Sequence, residues 1–152
     1  MTSPRRVFWW GWAVMTLLAS VWAIANPLMA SPDEPAHVVK AAAVARGQLL
    51  GEQTPDGTVV EVPYFYNLVT AYPVCYMFDP TAAGNCDWPA TQDLDTPVRA
   101  VTPAGRYNPL YYAVVGLPTL APPGDGVLYA MRILSGALCA FFVAAGLRAL
   151  AE

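Results

Sequence analysis

Residues 7–30 read VFWWGWAVMTLLASVWAIANPLMA, 24 residues without a single charge. Roughly 20 apolar residues cross the hydrocarbon core of a bilayer as a helix, so this run predicts a transmembrane span. Trp9, Trp10 and Trp12 crowd its start, where an interfacial aromatic belt sits. Arg5 and Arg6 precede it, and basic residues beside a span predict a cytoplasmic N-terminus, with the next segment delivered outside. A cleaved signal peptide also opens on basic residues, and the Arg5-Arg6 pair invites a twin-arginine export reading. The apolar core is longer than that of a cleaved signal peptide, and a cut after Ala30 would put Leu28 where a small residue is needed, so an uncleaved helix is the expected reading and cleavage the alternative.

The composition agrees with a membrane protein. The chain of 152 residues is 56% hydrophobic and only 12% charged, against about 25% charged in an ordinary soluble domain. A soluble surface could not be covered by so few charges, whereas lipid covers an apolar belt. The net charge of -3 leaves no basic patch for nucleic acid, so nucleic acid is excluded as a partner and the lipid bilayer is the expected one. A second run, residues 127–150, is interrupted only by Arg132 near its outer end and closed by Arg148. It predicts a second span that returns to the cytoplasm, where Arg148 again obeys the positive-inside tendency.

The expected fold is therefore an all-α membrane protein: two transmembrane helices flanking a large external loop with short interfacial helices. Residues 1–6 are a cytoplasmic N-terminus, 7–30 and 127–150 the two spans, and 31–106 the external loop. Residues 36–50, rich in alanine and reaching Gly47 or Gly51, predict a short interfacial helix whose Lys40 and Arg46 snorkel to headgroups. Residues 51–106 are rich in Pro, Gly, Asp and Thr, with aromatics interleaved and no period sustained over more than a few residues. A segment of that length without elements of its own is usually functional or disordered, and its aromatic content argues against full disorder. Residues 107–126 hold an apolar run too short to span, ending at Pro118, and predict an interfacial or re-entrant segment. The multi-pass chain is thus expected in the cytoplasmic membrane, N-terminus inside.

Three cysteines are present. If the loop faces an oxidising compartment, Cys75 and Cys86 are placed to pair, leaving Cys139 free in the second apolar run. The sequence leaves pairing and two free thiols equally open. No Cys-x-x-Cys or Cys-His cluster suggests metal binding by these thiols.

The chemistry-bearing stretch follows the first span directly: Ser31-Pro32-Asp33-Glu34-Pro35-Ala36-His37, with two carboxylates and the only histidine of the chain. Ser31, Pro32 and Glu34 have the spacing of a capping box, which would make Glu34 structural. Pro35 undercuts that reading, because proline disfavours helix at the residue before it. Asp33 reads either as a generic acid at a helix N-terminus or as a reactive group. Asp33 and His37, four apart, share a face of any helix holding both, where a carboxylate orients the imidazole or shares a divalent cation with it. One Asp and one His are not a complete metal site, so other residues or substrate phosphates would have to finish it.

A membrane helix followed at once by Asp33-Glu34 and a short helix ending in Gly resembles the first luminal loop of GT-C glycosyltransferases. Arg106-Tyr107-Asn108-Pro109-Leu110-Tyr111-Tyr112 resembles the Pro-Pro-Leu-Tyr-Tyr element before their second span, with Asn108 in place of the first proline. Met131-Arg132-Ile133-Leu134-Ser135 resembles the Arg-Leu-Leu-Ser start of that span. The order of a Pro-Asp-Glu-Pro-Ala-His stretch, a loop with two cysteines and an Arg-Tyr-x-Pro-Leu-Tyr-Tyr element is similar to domain of unknown function 2142, a predicted membrane family common in actinobacteria. That resemblance covers nearly the whole chain.

The resemblance implies a glycosyltransferase using a polyprenyl-phosphate-linked sugar donor outside the membrane. It implies that Asp33 activates the acceptor or coordinates a divalent cation, supported by Glu34 and His37. Arg132 would meet the donor phosphate, or snorkel to lipid phosphate, and Tyr107 and Tyr111 would contact substrate. GT-C proteins have many more helices. Ending at Glu152 just past a helix, the chain reads as a fragment expected to be inactive by itself. The alternative is a non-catalytic membrane protein whose aromatic-rich loop, Tyr64 and Trp88 included, binds a glycan or protein partner.

Overall fold

The computed structural model describes residues 3–79, 81–84 and 89–152, and the side chain of Cys75 is outside that description. Two compact units result, residues 1–26 with 129–152, and residues 27–128. The chain is mostly helical, with two long apolar helices at the ends of the sequence and a small three-stranded sheet between them.

The first unit is a pair of helices, α1 (Pro4–Ala25) and, from residue 129 onward, the last helix of the chain, Asp125–Leu150. Both are long and apolar enough to cross a membrane, and almost none of either is buried within the protein. The core helix of a soluble protein would be covered instead. The pair runs antiparallel. Phe8 meets Phe141 edge to face at 5.3 Å, the indole N–H of Trp12 donates to the Ala137 carbonyl at 3.1 Å, and Ala19 faces Gly136. A Cβ on Gly136 would lie 2.9 Å from that of Ala19, the close approach that small residues permit between helices in lipid. α1 stops five residues short of the expected end of the span. Pro27 disfavours helix at Asn26, which is extended at φ -92° and ψ 138°.

The second unit corrects the all-α expectation. Its sheet consists of β1 (Glu52–Thr54), β2 (Gly57–Pro63) and β3 (Pro97–Thr102), antiparallel in that order. Thr54 pairs with Gly57 across Pro55-Asp56, and Gly57 at φ +139° adopts a backbone that few other residues tolerate. Thr58, Val60 and Val62 alternate inward along β2 while Glu61 points out, so the period of two is present there. Thr102 of β3 is paired with Thr58, and its hydroxyl donates to the Ala36 carbonyl at 2.7 Å.

That bond ties the sheet to α2 (Glu34–Ala45), the helix around which the unit is packed. Every residue from Val38 to Val44 is buried, as befits a helix with apolar or small residues on all sides. The alanines allow close approach: a methyl on Gly116 would collide with the Ala41 carbonyl. The helix ends in a Schellman arrangement, with Gly47 at φ +86°, its N–H on the Val44 carbonyl and the Gln48 N–H on the Ala43 carbonyl.

Snorkelling of Lys40 and Arg46 is therefore overturned. Lys40 is 0% exposed and donates to the carbonyls of Leu49 at 2.6 Å and Gly105 at 2.7 Å, and burial pulls its pKa below the ordinary lysine value. Arg46 donates to Thr119 through both its side chain and carbonyl, and lies over the Tyr66 ring. Phe65 and Tyr66 in α3 (Tyr64–Leu68) are core residues, which removes them from any external working surface. α4 (Pro109–Val115) packs Tyr112 and Val115 inward and exposes Leu110 and Tyr111. The terminal helix Asp125–Leu150 is α5.

Candidate functional site

The N-terminus of α2 and the approach to α4 bring Asp33, His37, Tyr107 and Tyr112 together. Pro35 at the second helical position fixes where α2 begins, and Asp33 is its N-cap residue without a side-chain capping bond. The capping box does not form. Ser31 instead donates its hydroxyl to the Asp33 carboxylate at 2.9 Å. Glu34 opens the helix, half-buried, its backbone N–H on the Ser31 carbonyl.

The carboxylate of Asp33 is 71% exposed and lies 3.3 Å from Nε2 of His37, the one-turn spacing that places both on the same face. The hydroxyl of Ser31 first, then backbone hydrogen bonding and the neighbouring imidazole, hold Asp33 below the usual carboxylate range. The acid is therefore ionised and open to solvent.

His37 is anchored on its other side. Nδ1 lies 2.6 Å from the hydroxyl of Tyr112, and the imidazole is nearly parallel to the rings of Tyr112 and Tyr107, at 12° and 17° with centroids 5.8 and 5.7 Å away. Tyr112 is 3% exposed, and burial, with Tyr111, Tyr107 and Asp33 adding, pushes its phenol up to about 12. Asn108 positions this element by accepting the Leu110 N–H at 2.9 Å, the N-cap of α4, with Pro109 following at the first helical position. Asparagine at this place in the tyrosine-rich motif thus has a local purpose that proline could not serve.

With both imidazole nitrogens engaged, His37 orients Asp33, and the carboxylate is the group available to a ligand. Tyr107 and Tyr111 are exposed beside it and on the neighbouring turn. Tyr112 escaped the sequence reading, although its spacing with Val115 and Thr119, all buried, marks the inward face of that segment. No group of three or more His, Cys, Asp and Glu gathers around a metal position among the described residues. An exposed ionised carboxylate suits a hard cation, which would complete its shell from substrate phosphate and water. Arg132 lies in the helix pair, where its Nη1 donates to the carbonyls of Ala23 and Asn26, each at 2.9 Å. The proposed Cys75–Cys86 pair and Trp88 fall outside the described residues and side chains; Cys139 is a free thiol.

A cleft of about 400 Å³ lies beside the Asp33 turn, lined by Pro32, Pro35, Pro73, Val74, Met77 and Pro103 among others. Four prolines in its walls make it a rigid, largely apolar space within the size range of small-molecule sites. Met29, fully buried in its wall, has φ +61°, a left-handed conformation rare for a bulky side chain.

The chain matches no curated protein and no solved structure. A family model described as a predicted membrane protein, DUF2142, matches residues 16–152, which take in the second half of α1, the whole sheet-bearing unit and α5, and the chain belongs to that family.

Proposed function

We propose that Asp33 is the reactive acid of a GT-C-like glycosyltransferase acting on a polyprenyl-phosphate-linked sugar at the outer face of the cytoplasmic membrane. The observation that carries this reading is the exposed carboxylate of Asp33, held ionised by Ser31 and oriented by His37. In the reaction the acceptor hydroxyl attacks the anomeric carbon and passes its proton to Asp33. The bond from that carbon to phosphate breaks, and polyprenyl phosphate leaves with the electron pair. Should the enzyme use a divalent cation, Asp33 would hold it and the cation would supply charge stabilisation at the donor phosphate.

Four further features support the reading. The exposed rings of Tyr107 and Tyr111 offer flat apolar faces of the kind that pack on sugars. The apolar cleft beside Pro32 and Pro35 suits the hydrocarbon end of a lipid-linked donor. Arg5 and Arg6 at the start of α1 and Arg148 at the end of α5 lie at one end of an antiparallel pair, as a cytoplasmic N-terminus requires. The apolar outward side chains of Leu110, Leu117 and Leu120 support an interfacial placement of residues 107–126.

The test is Asp33→Asn in the protein as its gene encodes it, expressed in membranes and assayed for sugar transfer from a polyprenyl-phosphate donor. Transfer should be abolished with insertion intact. Undiminished transfer in that variant overturns the assignment.

A further inference from the structure

We propose that Tyr112 is a positioning residue that acts on Asp33 through His37: with Nε2–H turned to the carboxylate, its hydroxyl donates to Nδ1 and holds the imidazole in that place. The inference rests on the reading of Asp33 as the reactive acid, but its geometry stands apart from the identity of the substrate.

A carboxylate only accepts, so the 3.3 Å contact with Asp33 requires hydrogen on Nε2. In the neutral ring Nδ1 is then a bare acceptor, and the Tyr112 hydroxyl 2.6 Å away is the donor it faces. The opposite tautomer would set a bare Nε2 against the carboxylate, two acceptors in contact. Tyr112 can serve because its phenol stays protonated: burial and the neighbouring Tyr111, Tyr107 and Asp33 all raise its pKa. The nearly parallel rings of Tyr107 and Tyr112 hinder rotation of the imidazole. Ser31, Asp33, His37 and Tyr112 thus form one continuous line of hydrogen bonds from solvent into the core. A buried tyrosine at one end fixes an exposed carboxylate at the other. Partners that orient a functional group in this indirect way typically matter by 10–100-fold.

His37 is the only histidine in the chain, so its ring nitrogens give unambiguous signals in long-range proton–nitrogen correlation spectra. The experiment uses the labelled full chain in lipid nanodiscs at a pH where the ring is neutral. The unaltered protein should show the Nε2–H tautomer alone. Tyr112→Phe, which keeps the ring and removes only the hydroxyl, should keep the Nε2–H tautomer that the carboxylate fixes but shift the Nδ1 resonance as its hydrogen-bond donor is lost. A wild-type Nδ1–H tautomer, or a Tyr112→Phe spectrum identical to wild type, overturns the proposal. Asp33→Asn, whose side-chain oxygen still accepts, serves as a folded control and should keep the Tyr112 bond.

Where transfer is measurable, Tyr112→Phe should lower kcat by at least about 10-fold with KM little changed, and an unchanged kcat overturns the proposal. Failure of the transferase reading would appear as undiminished activity in Asp33→Asn, and the tautomer result does not depend on it.

Discussion

The ammonium of Lys40 donates to the carbonyl of Gly105 across 2.7 Å, joining residues 65 apart in the chain. With the second bond to the Leu49 carbonyl, one buried cation holds α2 to the turn after it and to the segment following β3. The charge is costly to bury, and the carbonyls it satisfies are costly to abandon. Lys40→Met keeps the apolar stem and strands both carbonyls, at about 1–3 kcal/mol for an unsatisfied buried group. The cost of burying the ammonium is relieved at the same time. A net loss of about 2 kcal/mol is expected, read from denaturant unfolding in mixed micelles. A variant as stable as wild type would mean that relief of the charge outweighs the stranded carbonyls.

Ser31 is the first cause of the lowered pKa of Asp33, ahead of His37. Ser31→Ala should therefore raise the Asp33 pKa toward its ordinary 3.8 by more than His37→Ala does. A depressed carboxylate contributes stability that is present above the unfolded value and is lost as pH falls through the folded one. In Ser31→Ala, where only the folded value moves, that loss should be smaller and be complete at higher pH. Carbon-detected titration of the Asp33 carboxyl checks the ranking, and the reverse order would make the imidazole the principal partner.

The two long apolar helices are legible in the sequence because lipid solvation asks for a simple trace, an uncharged run of sufficient length. Their ends are less so, since Pro27 acts on Asn26 through backbone sterics that hydropathy does not register. The sheet was missed even though Thr54-Pro55-Asp56-Gly57 is a turn signal and Thr58-Val59-Val60-Glu61-Val62 is a β-branched run. Surrounding Pro and Gly masked a strand of only seven residues. Lys40 and Arg46 were misplaced for a different reason: their partners, Gly105 and Thr119, are more than sixty residues away, and no local pattern announces them. Asp33 and His37 were brought together by helical spacing, whereas Tyr112 reaches His37 only through tertiary packing.

Tyr112 also predicts behaviour in alkali. Its phenol is raised from 10.0 to about 12, so its contribution is complete below pH 10 and is lost as pH rises through about 12. Tyr112→Phe lacks that group. At pH 9 wild type should exceed it by about 1 kcal/mol, the usual worth of one hydrogen bond. The gap should close across the window from 10 to 12. Wild type will still lose stability there through Tyr66, which is buried and also raised. Unfolding measured at intervals of half a pH unit or so distinguishes the two, and a gap that persists undiminished above pH 12 would contradict the assignment.

Arg132 separates structure from substrate binding. Two carbonyls at the end of α1, those of Ala23 and Asn26, accept from its Nη1. The C-terminal carbonyls of a helix lack partners within it and favour a cation. Hydrogen bonds to a charged group contribute about 1.5–3 kcal/mol each, so Arg132→Met should loosen the helix pair by about 2 kcal/mol or more. It should also speed amide exchange in the last turn of α1. Arg132→Lys keeps the charge but replaces the planar fork, and recovers only part of the loss. Should Arg132→Met instead leave unfolding and exchange unchanged while sugar transfer falls, the guanidinium serves the donor phosphate and its hold on α1 is incidental.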